Sequence, residues 1–130
     1  MPKINLPTDI TPEMKEAKKD YLDRHTPHVV APAKVKKGET FQVLVRMGQD
    51  YVHPDLEEHY IQYLQLYKGD KLLATAIYNP KAATAGKDPA SGHQQAAFFV
   101  SLDAPAKFSA MSYCTLHGLW VSEEVHVEVE

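Results

Sequence analysis

Apolar side chains recur at every second position over several short stretches of this chain, and that period admits little besides β-sheet. The clearest stretch is C-terminal. Val121, Val125, Val127 and Val129 fall on one side of an extended chain, and Ser122, Glu124, His126, Glu128 and Glu130 on the other, with Glu123 interrupting the apolar side. Phe41, Val43, Val45 and Met47 likewise alternate with Gln42, Leu44 and Arg46 after a Lys36-Lys37-Gly38 turn. Successive side chains of a strand point to opposite faces, so each stretch offers one face to a core and one to water. Residues 59–68 and 71–78, rich in Tyr, Ile and Leu, read as a hairpin about Lys68-Gly69-Asp70. Gln94 to Leu102 and Lys107 to Tyr113 are two more strands. Six or seven such strands in about 100 residues predict an all-β fold, a two-sheet antiparallel sandwich.

The N-terminal part reads differently. Residues 1–10 form an irregular arm with two prolines. Thr11-Pro12-Glu13 is a helix start: a hydroxyl cap, Pro at the first helical position and an acid in the first turn. The helix is expected to run to Tyr21 or Leu22. Residues 79–93, rich in Ala, Pro, Gly and Lys, read as a long exposed loop. The 130 residues are expected to make one domain, with 1–22 as arm and helix and 23–130 as sandwich.

A net charge of −3 argues against a basic nucleic-acid footprint. The longest apolar runs are too short to span a bilayer, and the N-terminus lacks the apolar core of a secretory signal. No membrane partner and a cytoplasmic address are therefore expected. The lone Cys114 cannot form an internal disulfide, which is consistent with a reducing compartment. It also excludes a second, all-cysteine metal centre. By itself one cysteine is more often a small buried hydrophobe.

Its neighbours change that. Three short clusters stand out: Asp23-Arg24-His25-Thr26-Pro27, His53-Pro54-Asp55-Leu56-Glu57-Glu58-His59-Tyr60-Ile61, and Ser112-Tyr113-Cys114-Thr115-Leu116-His117-Gly118-Leu119-Trp120. They supply four imidazoles and one thiolate, enough for one mononuclear metal with a position left open. His53 and His59 would lie about 240° apart on a helix, and Pro54 disfavours one there. A loop carrying His53 that leads into a strand beginning near His59 is the better reading. Cys114 and His117 share one tight turn, from which Gly118 lets the chain leave. Loops at one end of a rigid sandwich are a usual place for a site.

A single His beside a strand is more often hydrogen-bonded than ligating, and an isolated C-x-x-H is a weak signal. The combination of three clusters at strand ends carries the weight. His28, His93 and His126 are read as non-ligands, His126 on a polar strand face and His93 in the loop. Thiolate with imidazole suits zinc, copper or iron. Five ligands exceed the four of structural zinc. Blue-copper sites add a weak axial Met, and none of Met1, Met14, Met47 and Met111 follows His117.

These clusters resemble the superoxide reductases, the family that includes neelaredoxin and the iron domain of desulfoferrodoxin. That family's pattern is E-K-H-x-P, then H-P-x-x-x-E-H-x-I, then C-N-x-H-G-x-W. The ligand spacings of the second and third motifs match here, from His53 to Ile61 and from Cys114 to Trp120. The resemblance spans residue 20 to the C-terminus, and without an N-terminal four-cysteine centre it is to the one-iron, neelaredoxin-like class. It implies an immunoglobulin-like sandwich of about seven strands. It implies an Fe(His)4(Cys) centre with His25, His53, His59 and His117 equatorial and Cys114 axial, cycling between Fe2+ and Fe3+. It implies one-electron reduction of superoxide to hydrogen peroxide, rubredoxin or a similar small electron donor, and a homotetramer.

Three positions depart from the pattern. Asp23 stands where the family has a glutamate that can take the sixth position, and is one methylene shorter. Arg24 replaces a lysine and keeps the charge, but is effectively never deprotonated. Thr115 replaces an asparagine. Asp23 and Arg24 are the expected catalytic residues, tuning rate and resting ligation. Backbone N–H groups near Cys114 are expected to tune the thiolate. Glu58 reads equally well as a support for His59 or as a solvated acid. Tyr60, Tyr63, Tyr67 and Tyr78 are expected to be exposed and available to an interface. Against the oxidoreductase stand a cupredoxin-like electron carrier without turnover, and an immunoglobulin-like binding module with incidental histidines.

Overall fold

A computed structural model describes residues 3–80 and 93–130. A short strand β1 (Ile4–Asn5) and a 3-10 turn (Pro7–Asp9) lead into helices α1 (Pro12–Ala17) and α2 (Lys19–His25). The cap is the expected one, with Thr11 Oγ1 accepting the Met14 N–H at 3.2 Å. Instead of one helix ending near Leu22, the helix breaks at Lys18 (φ −131°, ψ 33°) and resumes to His25. The added turn is held by side chains. Thr26 Oγ1 donates to Leu22 O, and Arg24 pairs with Asp20 one turn back. Pro27 then forces Thr26 into extended conformation and stops the helix.

The strands β2 (Pro27–Val30), β3 (Lys34–Val35), β4 (Phe41–Met47), β5 (Ile61–Lys68), β6 (Lys71–Ile77), β7 (Gln95–Val100), β8 (Ala106–Cys114), β9 (Gly118–Val121) and β10 (Val125–Val129) follow among the described residues. A three-stranded sheet runs β2-β4-β7. In the seven-stranded sheet, β8 is the axis. β5 pairs along one edge of β8, and β9 and β10 succeed one another along the other. β6 flanks β5, while β1 and β3 add short parallel pairs to β9 and β10. The sandwich is therefore mostly antiparallel, as the alternation required. The expected last strand is two, because Ser122 turns inward. Its Oγ accepts the Ala110 N–H at 2.8 Å and it is buried, not on the polar face.

Both sheets feed one core. Val43, Val45 and Met47 of β4 meet Leu64, Leu66, Phe108, Ala110 and Val127, all buried. Each large side chain so buried contributes about 1.5–3 kcal/mol. The core fixes where strands end. The starts of β2 and β5 lie beside the ends of β4 and β8, with Pro27 opposite Met47 and Ile61 opposite Cys114. The expected loop over 79–93 lies mostly outside the described residues. His93, placed in that loop from sequence, is buried with Nδ1 donating to Met47 O at 2.8 Å.

Candidate metal centre

All three clusters meet at this end of the sandwich. His25, beyond the helix end expected at Tyr21 or Leu22, is the last residue of α2 and is buried. His53, also buried, lies in the irregular segment after β4. His59 closes a tight turn in which Leu56 and His59 exchange N–H···O bonds at 3.0 and 3.1 Å, two residues before β5 begins. Cys114 ends β8, and the turn to His117 returns at Gly118, which pairs with Cys114. Gly118 has φ +84°, and a Cβ there would sit 3.0 Å from Lys3 O, so glycine is required.

One donor atom from each of His25, His53, His59 and Cys114 lies within 4.8 Å of all the others. His117 joins through Nδ1, 3.1 Å from His25 Nε2 and 3.6 Å from Cys114 Sγ. Two more spacings complete the set: His53 Nε2 to His25 Nε2 at 3.2 Å and to Cys114 Sγ at 3.4 Å. Donors about 2.1–2.3 Å from one ion and at right angles to each other stand about 3 Å apart. The spacings are those of neighbouring ligands around a shared centre.

The protonation pattern supports the same reading. His25 Nδ1 faces Tyr21 O at 2.7 Å and His53 Nδ1 faces Pro54 O at 2.7 Å. A carbonyl only accepts, so both Nδ1 atoms carry the proton and both Nε2 atoms present lone pairs. Burial lowers the His25 pKa to about 4 and that of His53 to about 3, which keeps both rings neutral. Two bare nitrogens 3.2 Å apart repel unless a cation lies between them. His59, also lowered by burial, has its Nε2 buried with no hydrogen-bond partner. Burial raises the Cys114 thiol, while the Leu116 and His117 N–H groups pull it down, as expected of that turn. Neutral imidazoles and a buried thiol that a bound cation would deprotonate fit a metal of the zinc, copper or iron type.

Residues around the donors orient them. Trp120 stacks on His25 (centroids 5.0 Å, 24°) and its Nε1 donates to His117 O at 3.2 Å. Tyr21 packs against both His25 and His117. Thr115 Oγ1 accepts the Tyr60 N–H at 3.2 Å, and its own N–H returns to Tyr60 O, fastening the cysteine turn beside β5. Tyr21 and the carbonyls of Tyr21 and Pro54 escaped the sequence reading. The only signal for Tyr21 is its place one helical turn before His25.

Arg24 donates from Nε to Asp20 O and from Nη2 to Asp20 Oδ2 at 2.7 Å. Its charge nevertheless reaches His25, His53 and His59, lowering each. Asp23 holds its carboxylate on the N–H groups of Gln49, Asp50 and Tyr51. Glu58 is exposed, which suits the solvated reading. Tyr60, Tyr63, Tyr67 and Tyr78 are half-buried rather than exposed, and Tyr63 stacks on Tyr113.

A β-sandwich with imidazoles and one thiol converging at its end defines a sandwich protein whose His/Cys cluster could hold a metal ion. Residues 13–123 match the desulfoferrodoxin family model, and the chain belongs to that family. It is 31% identical over 96 residues to the superoxide reductase of Pyrococcus abyssi, covering 74% of this chain and 84% of that one. With the neelaredoxin of Megalodesulfovibrio gigas it shares 25% over 111 residues, covering 78% and 85%. The solved superoxide reductase (neelaredoxin) of Ignicoccus hospitalis superposes with a TM-score of 0.72 at 28% identity, covering 98% and 95%. No helix among the described residues is long and apolar enough to cross a membrane.

Proposed function

We propose that this protein is a superoxide reductase of the one-iron class, with His25, His53, His59, His117 and Cys114 holding the iron. The observation that carries the reading is the convergence of ring nitrogens of His53 and His117 on one buried thiol, with the His25 nitrogen beside them. Bound there, iron would supply the single electron that takes superoxide, with two protons, to hydrogen peroxide. The chain's residues set the conditions. Carbonyls of Tyr21 and Pro54 fix two ring tautomers. The Leu116 and His117 N–H groups temper the thiolate. His25, His53 and Cys114 are shielded, while His59 and His117 are partly open to solvent and give an anion its approach. Arg24 adds positive charge on that approach, an attraction that salt weakens.

A small carrier such as rubredoxin would return the electron. Leu116, 62% exposed between Cys114 and His117, offers it an apolar contact beside two ligands. A homotetramer is part of the same proposal, supported by Leu72, Leu73 and Ile77 of β6, exposed among the described residues. The test is anaerobic. Ferrous-loaded protein is mixed with superoxide while peroxide and oxygen are recorded together. Peroxide with stoichiometric iron oxidation and no oxygen is expected. Oxygen evolving with the peroxide would make the protein a dismutase, and superoxide decay no faster than in buffer would end the proposal.

A further inference from the structure

We infer that Asp23 is a positioning residue that ties the helix carrying His25 to the loop carrying His53, and so sets the separation of the two imidazoles. The inference rests on the five-ligand reading above. Asp23 stands two residues before His25, and Tyr51 two residues before His53. Between them runs a dense set of hydrogen bonds. Asp23 Oδ2 accepts the N–H groups of Tyr51 at 2.8 Å, Asp50 at 3.0 Å and Gln49 at 3.2 Å, and Oδ1 accepts Gln49 again at 3.0 Å. Three successive amides thus aim at one carboxylate, the arrangement by which backbone holds an anion. Bonds from amides to an ionised carboxylate are among the stronger ones.

The loop is built for this contact. Gly48 adopts φ +70°, and a Cβ there would lie 2.5 Å from Tyr51 O and 3.2 Å from Asp23 Oδ2. Only glycine lets the chain wrap so closely around the carboxylate. Gly48 N–H also donates to Thr26 O at 2.9 Å. His25 is therefore bracketed by ties to the same loop at positions 23 and 26. The His25 and His53 nitrogens meet at 3.2 Å across this joint.

Side-chain length matters here. Aspartate is short enough to seat both oxygens on the loop, and a glutamate's extra methylene would overshoot it. While seated, the carboxylate is committed to amides rather than to the metal. The shorter acid at position 23 is thus the residue the joint requires, and its carboxylate, so seated, would not serve as a metal ligand.

Co2+ serves as the probe, because its visible bands report ligand geometry, and amide hydrogen exchange reads the joint in metal-free protein. In wild type the Gln49, Asp50 and Tyr51 amides should exchange slowly. Asp23→Ala should speed all three, lower Co2+ affinity by about 10–100-fold and shift the Co2+ bands. Asp23→Asn, which keeps one acceptor oxygen, should recover most of each effect. Asp23→Glu, which keeps the charge, should still lose the protection, and it carries the test if Asp23→Ala does not fold. Wild-type exchange and Co2+ bands in the Ala and Glu variants would overturn the inference, as would an Asn variant no better than Ala. Failure of wild type to take up Co2+ would sink the five-ligand reading instead, and the exchange rates would still judge the joint.

Discussion

Acid should unfold the metal-free protein at a pH where ordinary surface groups are untroubled, and the cause is the neutral imidazole pair. In the folded chain burial holds His25 at about 4 and His53 at about 3. Unfolded, both return to the ordinary 6.5. The sign follows from proton counting. Below pH 6.5 the unfolded chain binds these protons and the folded chain does not, so stability falls as pH falls. Each unmatched proton costs about 1.4 kcal/mol per pH unit. Two of them give a slope approaching about 2–3 kcal/mol per unit and a loss of about 4 kcal/mol between pH 6.5 and 4.5. That approaches the whole stability of a marginal domain. His28 and His59, also lowered by burial, act in the same direction. Urea titrations of metal-free protein across this range measure the slope directly. His53→Gln should remove about half of it. A slope below about half a proton, or one that His53→Gln leaves intact, would refute the reasoning. The imidazoles would then not be held neutral, and the crowding of bare nitrogens would lose its basis.

Arg24→Ala should slow the reaction with superoxide and flatten its dependence on ionic strength, since the charge steers an anion. An undiminished rate at low salt would remove Arg24 from the site. Gly118→Ala should destabilise the fold by about 1–2 kcal/mol through its left-handed backbone and weaken metal binding, because the strained turn carries both Cys114 and His117; thermal melts with and without Co2+ read both effects. Cys114→Ser should abolish the sulfur-to-metal absorption of the loaded protein while leaving the sandwich folded, the deleted atom being buried but small; a retained band would mean that the thiol is not a ligand.

Much of the site was legible because its information is local. The spacing of Cys114 and His117 defines one tight turn, and Pro54 disfavours a helix between His53 and His59. The same is true of Thr11, whose hydroxyl caps the helix as its neighbours required. Local patterns failed where a distant group intervened. Ser122 reads as polar surface but is buried, because Ala110 across the sheet offers its N–H. His93 reads as loop but is buried against Met47 O. α2 runs past Leu22 because Tyr21 O takes the His25 ring proton and Pro27 stops the chain only after His25.

The sequence by itself determined that this chain is β-rich, that its imidazoles and thiol come in three clusters, and that these lie at strand ends. Period-two alternation and residue chemistry are properties of neighbours, and no fold is needed to read them. The tertiary structure alone decided how those clusters act. It brought bare nitrogens from α2 and from the loop after β4 to 3.2 Å. It also turned the carboxylate at position 23 onto three amides 26 to 28 residues away. A carboxylate, an amide or a lone pair has no fixed partner along the chain, and its role is settled only when packing of the two sheets brings a particular group within bonding distance.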